Sequence, residues 1–391
     1  MMWIERVLSE KIEKGIASRP VILLTGARQT GKTSLLRKIA EKAEYISFDR
    51  LLIADEAEKN PSRFLSKLKD QVILDEIQYT PSLFRELKIL IDENRQLYGK
   101  WLLTGSQKFQ LMKKVSESLA GRVGIFMLET LSLKELRDSG FFDKDTLYSF
   151  ICKGGFPELW STPNIDVPDY FEDYIQTYLE KDLKEIVNVG NLRDFRKMLQ
   201  ICALRTGQLI NYSEIAKEVG VSLKTIQVWI NALEISGVVY LLSPYFANIG
   251  KRLIKAPKLF FADNGLLAYL LGVNMENYDS NIYKGAIWEN LIFSELIKNP
   301  RVIPGRNLFF YRDQNGVEID FIYNNKEEIY LIEAKAAEKV NEKKINFRKV
   351  APLLKNKKVN CILACNMNEE KIISLKSYDI INPLFSQILS D

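Results

Sequence analysis

Short apolar runs recur through the first third of the chain, at 21–25, 44–48, 71–74, 101–104 and 123–128. The stretches between them carry apolar residues at three-to-four spacing, as in Leu35, Leu36 and Ile39, or Leu83, Leu87, Leu90 and Ile91. A continuous apolar run predicts a strand buried on both faces, and the wider spacing predicts an amphipathic helix. Their alternation predicts an α/β fold whose parallel sheet is covered by helices on both sides. Ahead of the first strand, Trp3, Ile4, Val7, Leu8 and Ile12 predict a packing helix over 3–16.

After Leu131 the pattern turns helical and aromatic-rich as far as about Asn191, interrupted by Gly154-Gly155-Phe156-Pro157. Two short helical patterns with a turn at Gly220 follow within 201–242. Ser213 and Ser222 are the expected N-caps of these helices. Ile215, Ala216 and Val219 should pack on Ile226, Ile230 and Leu233, which turns Lys224, Gln227, Val228 and Asn231 outward. Strands at 238–242 and 258–261 complete a winged helix, with Lys251, Arg252 and Lys255 at the wing's tip. Those basic and amide side chains suit phosphate and base-edge contact, so DNA is the expected partner. Winged helices also pack on proteins, and a protein partner is the alternative. From Gly265 onward a helix leads into strands at 308–311, 316–323 and 329–333. The pattern thus divides the chain into regions 1–130, 131–195, 196–263 and 264–391.

Composition narrows the chemistry. With 391 residues, 47% hydrophobic and 27% charged, the chain has the makings of several globular regions. A net charge of +5 suits nucleic acid without requiring it. Histidine is absent, which excludes imidazole bases and histidine-ligated zinc. Cys152, Cys202, Cys361 and Cys365 form no C-x-x-C pair and read as plain thiols. With no apolar run long enough to cross a bilayer, a cytoplasmic address without membrane contact is expected.

Carboxylates, lysines and a hard metal ion remain, and the first strand leads straight to them. Gly26-Ala27-Arg28-Gln29-Thr30-Gly31-Lys32-Thr33 matches G-x-x-x-x-G-K-[ST] and is followed by Ser34. Between a strand and a helix, such a loop turns its backbone N–H groups toward a phosphate. Lys32 is expected on the β- and γ-phosphates of ATP, and the Thr33 hydroxyl on Mg²⁺. The run Val72-Ile73-Leu74-Asp75-Glu76 ends in two acids. Asp75 is expected to hold Mg²⁺ through a water, delivered from a neighbouring strand, and Glu76 to polarise the attacking water. Ser106, just past the strand at 101–104, is the expected γ-phosphate sensor. Arg122 is the expected transition-state arginine, in its own subunit or from a neighbour in a homo-oligomer.

A second constellation lies near the C-terminus. Glu318 and Asp320 are two apart on one expected strand, and Glu333 and Lys335 on the next. Residues at this spacing share a face, and Glu289 on the preceding helix is placed to join them. Acid, then Asp, then Glu-x-Lys is similar to the restriction-endonuclease-like fold, in which carboxylates hold Mg²⁺ and a lysine activates water. An active nuclease and an inert nucleic-acid-binding relic both fit. Lys343, Lys344, Arg348, Lys349, Lys357 and Lys358 read as either a phosphate-binding rim or a solvated face.

Taken together, Gly26–Thr33, Leu74-Asp75-Glu76-Ile77-Gln78, Thr104-Gly105-Ser106, Ser118-Leu119-Ala120-Gly121-Arg122, Gly154-Gly155-Phe156-Pro157, Trp288-Glu289-Asn290, Glu318-Ile319-Asp320 and Glu333-Ala334-Lys335 carry a family likeness. The chain resembles the prokaryotic AAA-superfamily ATPases whose C-terminal part is a conserved domain of unknown function. The likeness covers nearly the whole chain. It implies an AAA-type core that binds Mg-ATP, followed by a helical lid, a winged helix and a nuclease-like α/β domain.

Overall fold

The computed structural model describes residues 2–105, 118–179, 192–245, 256–337, 345–354, 357–367, 372–375 and 377–389. Two compact units make up the chain: Glu5–Glu129 with Ile235–Gly237, and Met1–Ile4 with Thr130–Glu234 and Val238–Asp391.

In the N-terminal unit, five strands form one parallel sheet: β1 (Val21–Thr25), β2 (Glu44–Ser47), β3 (Val72–Asp75), β4 (Trp101–Gly105) and β5 (Val123–Met127). Their order is β2-β3-β4-β1-β5. The three inner strands are wholly buried, because a parallel sheet covered on both faces has no solvent side. Both edge strands are partly exposed. Helix Ser82–Glu93 buries Leu83, Phe84, Leu87 and Ile91 in the same core as Leu23, Leu74 and Leu103. All five expected strands form. The expected helix over 3–16 starts only at Ser9, and Ile4 belongs to the C-terminal unit, where it is buried. The strand carrying Asp75 is also not adjacent to the loop strand: β4 lies between them.

One continuous apolar core runs through the C-terminal unit from Leu131 to Leu389. Its Gly-Gly-Phe-Pro stretch is a packing device. The buried Asp263 carboxylate accepts from Gly155 N at 2.8 Å and Thr130 Oγ1 at 2.9 Å. It also accepts from Gly265 N at 2.9 Å and Leu266 N at 3.2 Å. A Cβ on Gly154 would lie 2.1 Å from Asp263 Oδ1, and Gly154 has φ +71. Only glycine tolerates both demands.

Helices Leu192–Leu204, Tyr212–Val219 and Leu223–Ile235 precede an antiparallel pair, β6 (Val239–Leu242) with β7 (Lys258–Phe261). Ile215, Ala216, Val219, Ile226, Ile230 and Leu233 are all buried. Ser222 caps its helix, accepting from Thr225 N at 3.1 Å. Ser213 does not: Asn211 takes that place, accepting from Ser213 N and Glu214 N.

Helix Lys284–Lys298 then packs on a six-stranded sheet of β8 (Leu308–Arg312), β9 (Glu318–Asn324), β10 (Glu328–Lys335), β11 (Lys358–Cys365), β12 (Ile373–Ser374) and β13 (Asp379–Ile381). The order is β12-β13-β11-β10-β9-β8. The last three strands were not anticipated, and β11 lies inside the sheet, beside β10. All four cysteines are free thiols.

Candidate functional site

The Gly26–Thr33 loop leaves β1 at Thr25 and enters helix Lys32–Ile39. Gly31 caps that helix at φ +90, and Gly26 lies so close to Leu128 that a Cβ would meet its carbonyl oxygen at 2.2 Å. Both glycines are therefore required by the backbone path. Lys32 is buried and donates to Ala27 O at 2.7 Å and Gly26 O at 3.2 Å, inside the curl of the loop. Arg6 ties the loop down from outside, donating to Thr30 O at 2.9 Å and Glu129 O at 2.7 Å.

The end of β3 comes to the loop. Thr33 Oγ1 donates to Asp75 Oδ1 at 2.7 Å, and Tyr45 OH from β2 donates to Oδ2 at 2.7 Å. Thr104, at the tip of the intervening strand, donates to Asp75 Oδ1 and accepts from Glu76 N at 3.2 Å. Burial, and then the bond to Asp75, pushes the Tyr45 phenol up to about 12, so it stays a donor. Glu76 sits at φ +55, an uncommon conformation for glutamate, and its Oε2 accepts from Gln78 Nε2.

Sequence reasoning placed the polar residue between the strand tips at Ser106, which lies outside the described residues; Thr104 holds that position among those described. Arg122 is not brought to its own chain's loop. It precedes β5 at the end where Val123 pairs with Val21, opposite the Thr25 end. At about 3.3 Å per residue, roughly 16 Å of strand separates the two ends. There Arg122 donates to both carboxylate oxygens of Asp92, at 2.8 and 2.7 Å.

The C-terminal acids meet in two groups. A bulge in the β8–β9 ladder, with Phe309 opposite Ile322 and Tyr311 opposite Ile319, falls at Asp320-Phe321. Bulges re-aim side chains, and here the Asp320 carboxylate accepts from Ala334 N at 2.8 Å. Lys335 lies 3.4 Å from Asp320 and 2.8 Å from Glu333. Glu333 also accepts from Asn346 N at 2.8 Å. Burial raises the Glu333 carboxyl, against the pull of Lys335.

Glu289 and Glu318 form the other group around a lysine that sequence reasoning passed over. Lys258 Nζ, on β7, lies 3.0 Å from Glu289 Oε1 and 2.5 Å from Glu318 Oε1, with its side chain only 3% exposed. Burial opposes the Lys258 charge, but Glu289, Asp320 and Glu318 outweigh it and raise its pKa. Burial, then the charge of Asp320, pushes Glu289 up to about 7. The flanking Trp288 and Asn290 are structural: Trp288 Nε1 donates to Ala364 O, and Asn290 Oδ1 accepts from Phe261 N. A lysine inside the apolar run Lys258-Leu259-Phe260-Phe261 was the available signal, since a buried ammonium requires carboxylate partners. Among the described residues, no three acids converge as a metal-holding group.

Lys224, Gln227 and Asn231 lie exposed along helix Leu223–Ile235. Lys251, Arg252 and Lys255 fall outside the described residues, as do Lys343 and Lys344. Arg348 and Lys349 are exposed, whereas Lys357 bonds Asn324 and Lys358 pairs with Glu328.

A phosphate-loop turn with an acid-tipped strand one place removed in a parallel sheet defines a P-loop ATPase of the AAA type, and residues 18–137 match the AAA domain profile. Two domains of unknown function follow, DUF8612 over 144–277 and DUF4143 over 284–381. The chain belongs to the same family as the uncharacterized proteins Rv2008c of Mycobacterium tuberculosis and Mb2031c of Mycobacterium bovis. Each is 33% identical over 318 residues, which is 81% of this chain and 70% of the relative. Among solved structures it is similar to the Walker-type ATPase PABY2304 of Pyrococcus abyssi, at 16% identity over 69% of this chain and 96% of that one, with a TM-score of 0.44.

Proposed function

We propose that this chain binds Mg-ATP at the Gly26–Thr33 loop, hydrolyses it, and couples the nucleotide state to DNA binding in the cytoplasm. The observation that carries the ATPase reading is the 2.7 Å contact between Thr33 Oγ1 and Asp75 Oδ1. Loop and acid strand thus address one triphosphate. The hydroxyl and carboxylate oxygens are the donors that Mg²⁺ prefers, so Thr33 and Asp75 fit as its holders. When bound, the ion neutralises charge on the β- and γ-phosphates. Entry of ATP exchanges the two carbonyl acceptors of Lys32 for phosphate oxygens, while N–H groups of Ala27 to Ser34 cradle the phosphates. Glu76 polarises the attacking water, and Gln78 sets the position of its carboxylate. From its edge of the sheet, Arg122 serves a nucleotide only of a neighbouring copy. Among the described residues, no helix is long and apolar enough to cross a membrane.

DNA contact falls to Lys224, Gln227 and Asn231 on the exposed face of helix Leu223–Ile235, with Lys251 and Arg252 beyond it. Fluorescence anisotropy with duplex DNA, with and without ATP, tests this. Salt-sensitive affinity weakened in K224A/N231A is expected; affinity indifferent to salt and to both substitutions refutes it and leaves a protein partner as the client. A second reading, Mg²⁺-dependent strand cleavage, is favoured by the grouping of Asp320, Glu333 and Lys335. Plasmid nicking lost in D320A and K335A is its signature.

A further inference from the structure

We propose that the Lys258 ammonium is the resident cation of the Glu289–Glu318 pair, and that the pair therefore takes no divalent metal while Lys258 is in place. Lys258 comes from β7, outside the sheet and the helix that supply the acids. Its ammonium lies within ion-pair distance of Glu289 and Glu318 together. The strand that delivers it is fixed on both sides. Lys258 pairs with Leu242 across β6, and on the other flank Ile210 N donates to Pro257 O at 2.9 Å, Leu259 N to Gln208 O at 3.2 Å and Gly207 N to Leu259 O at 2.8 Å.

Two neighbours crowd the pair. Gly207 approaches Glu289 so closely that a Cβ would lie 3.1 Å from its Oε2, and the Phe310 ring stands 5.5 Å from the Lys258 ammonium. On the far side, Lys335 serves Asp320 and Glu333 in the same way. Each acid that a Mg²⁺ or Mn²⁺ ion would need is thus already engaged by a fixed positive charge or a backbone N–H. A divalent ion at the Glu289–Glu318 position would stand within a few ångströms of a buried ammonium, and like charges that close repel. The inference bears on the cleavage reading alone: with Lys258 seated, Glu289 and Glu318 contribute no metal ligand to it.

The test uses the full chain without nucleotide, carrying D75N so that the phosphate-loop site contributes no metal. Mn²⁺ binding is followed by electron paramagnetic resonance in the Lys258 chain and in K258M, E318Q and K258M/E318Q. The expected result is no Mn²⁺ in the Lys258 chain that E318Q removes, and one added Mn²⁺ per chain in K258M that K258M/E318Q loses. Folded K258M that gains no Mn²⁺ overturns the proposal. So does Mn²⁺ held by the Lys258 chain and lost in E318Q. Should K258M not fold, the comparison of the Lys258 chain with E318Q decides alone. Loss of ATP turnover or of DNA affinity would leave this outcome untouched, since neither site supplies these acids.

Discussion

Asp75 accepts hydrogen bonds from three hydroxyls on three different elements, Thr33, Tyr45 and Thr104. Only the first was legible in the sequence, because the loop and the strand-end acids are each contiguous and their chemistry is carried by local spacing. Thr104 and Tyr45 owe their contacts to strand order, which puts β4 between β1 and β3 and β2 beyond them. Thr104 is fully buried and serves both as a donor to Asp75 and as the acceptor of Glu76 N. T104V removes that buried acceptor and the donor to Asp75 and should cost about 1–3 kcal/mol of stability, read by urea denaturation, while lowering ATP turnover. T104S should recover both; equal stability and turnover in T104V would show that the hydroxyl does nothing. Lys258 was legible only as a lysine opening an apolar strand: its partners lie on a later helix and strand, and nothing local says which they are.

At the scale of elements, the buried runs of the N-terminal sheet were read correctly because a parallel strand covered on both faces has little else in it. β11 was missed because it begins in a basic stretch, Lys357-Lys358, whose side chains bond the last residue of β9 and the first of β10. The glycine pair after helix Lys144–Lys153 shows a motif that is structural although it carries family likeness. G154A sets a Cβ against the Asp263 carboxylate at a positive φ, and should destabilise the C-terminal unit by roughly 3 kcal/mol or more, seen as a lowered Tm. Glu172 links three helices, accepting from Tyr269 OH at 2.6 Å, Arg196 Nη1 at 2.9 Å and Gln176 Nε2 at 2.5 Å. These bonds, that of Tyr269 foremost, hold its carboxyl down at about 2. A depressed acid stabilises the fold above its unfolded value near 4.5, and the gain fades as pH falls from there toward 2. The stability difference between the natural chain and E172Q should accordingly shrink between pH 7 and pH 3; a difference that grows on acidification contradicts the assignment.

For the whole molecule, the account joins an AAA-type ATPase to a unit that presents an exposed polar helix face and lysine-paired carboxylates. If the helix face holds phosphates, each lysine removed from it should flatten the dependence of log affinity on log salt by about 0.9, whereas an amide such as Gln227 should change affinity without changing that slope. The claim on which the rest depends is that Lys32, Thr33, Asp75 and Glu76 form one hydrolytic site. Its most direct test is ATP turnover measured beside ATP binding in the natural chain, K32A and E76Q. K32A should lose binding or turnover, and E76Q should still bind ATP while hydrolysing it about 100-fold more slowly or worse. Turnover unchanged in both variants would contradict the site described here.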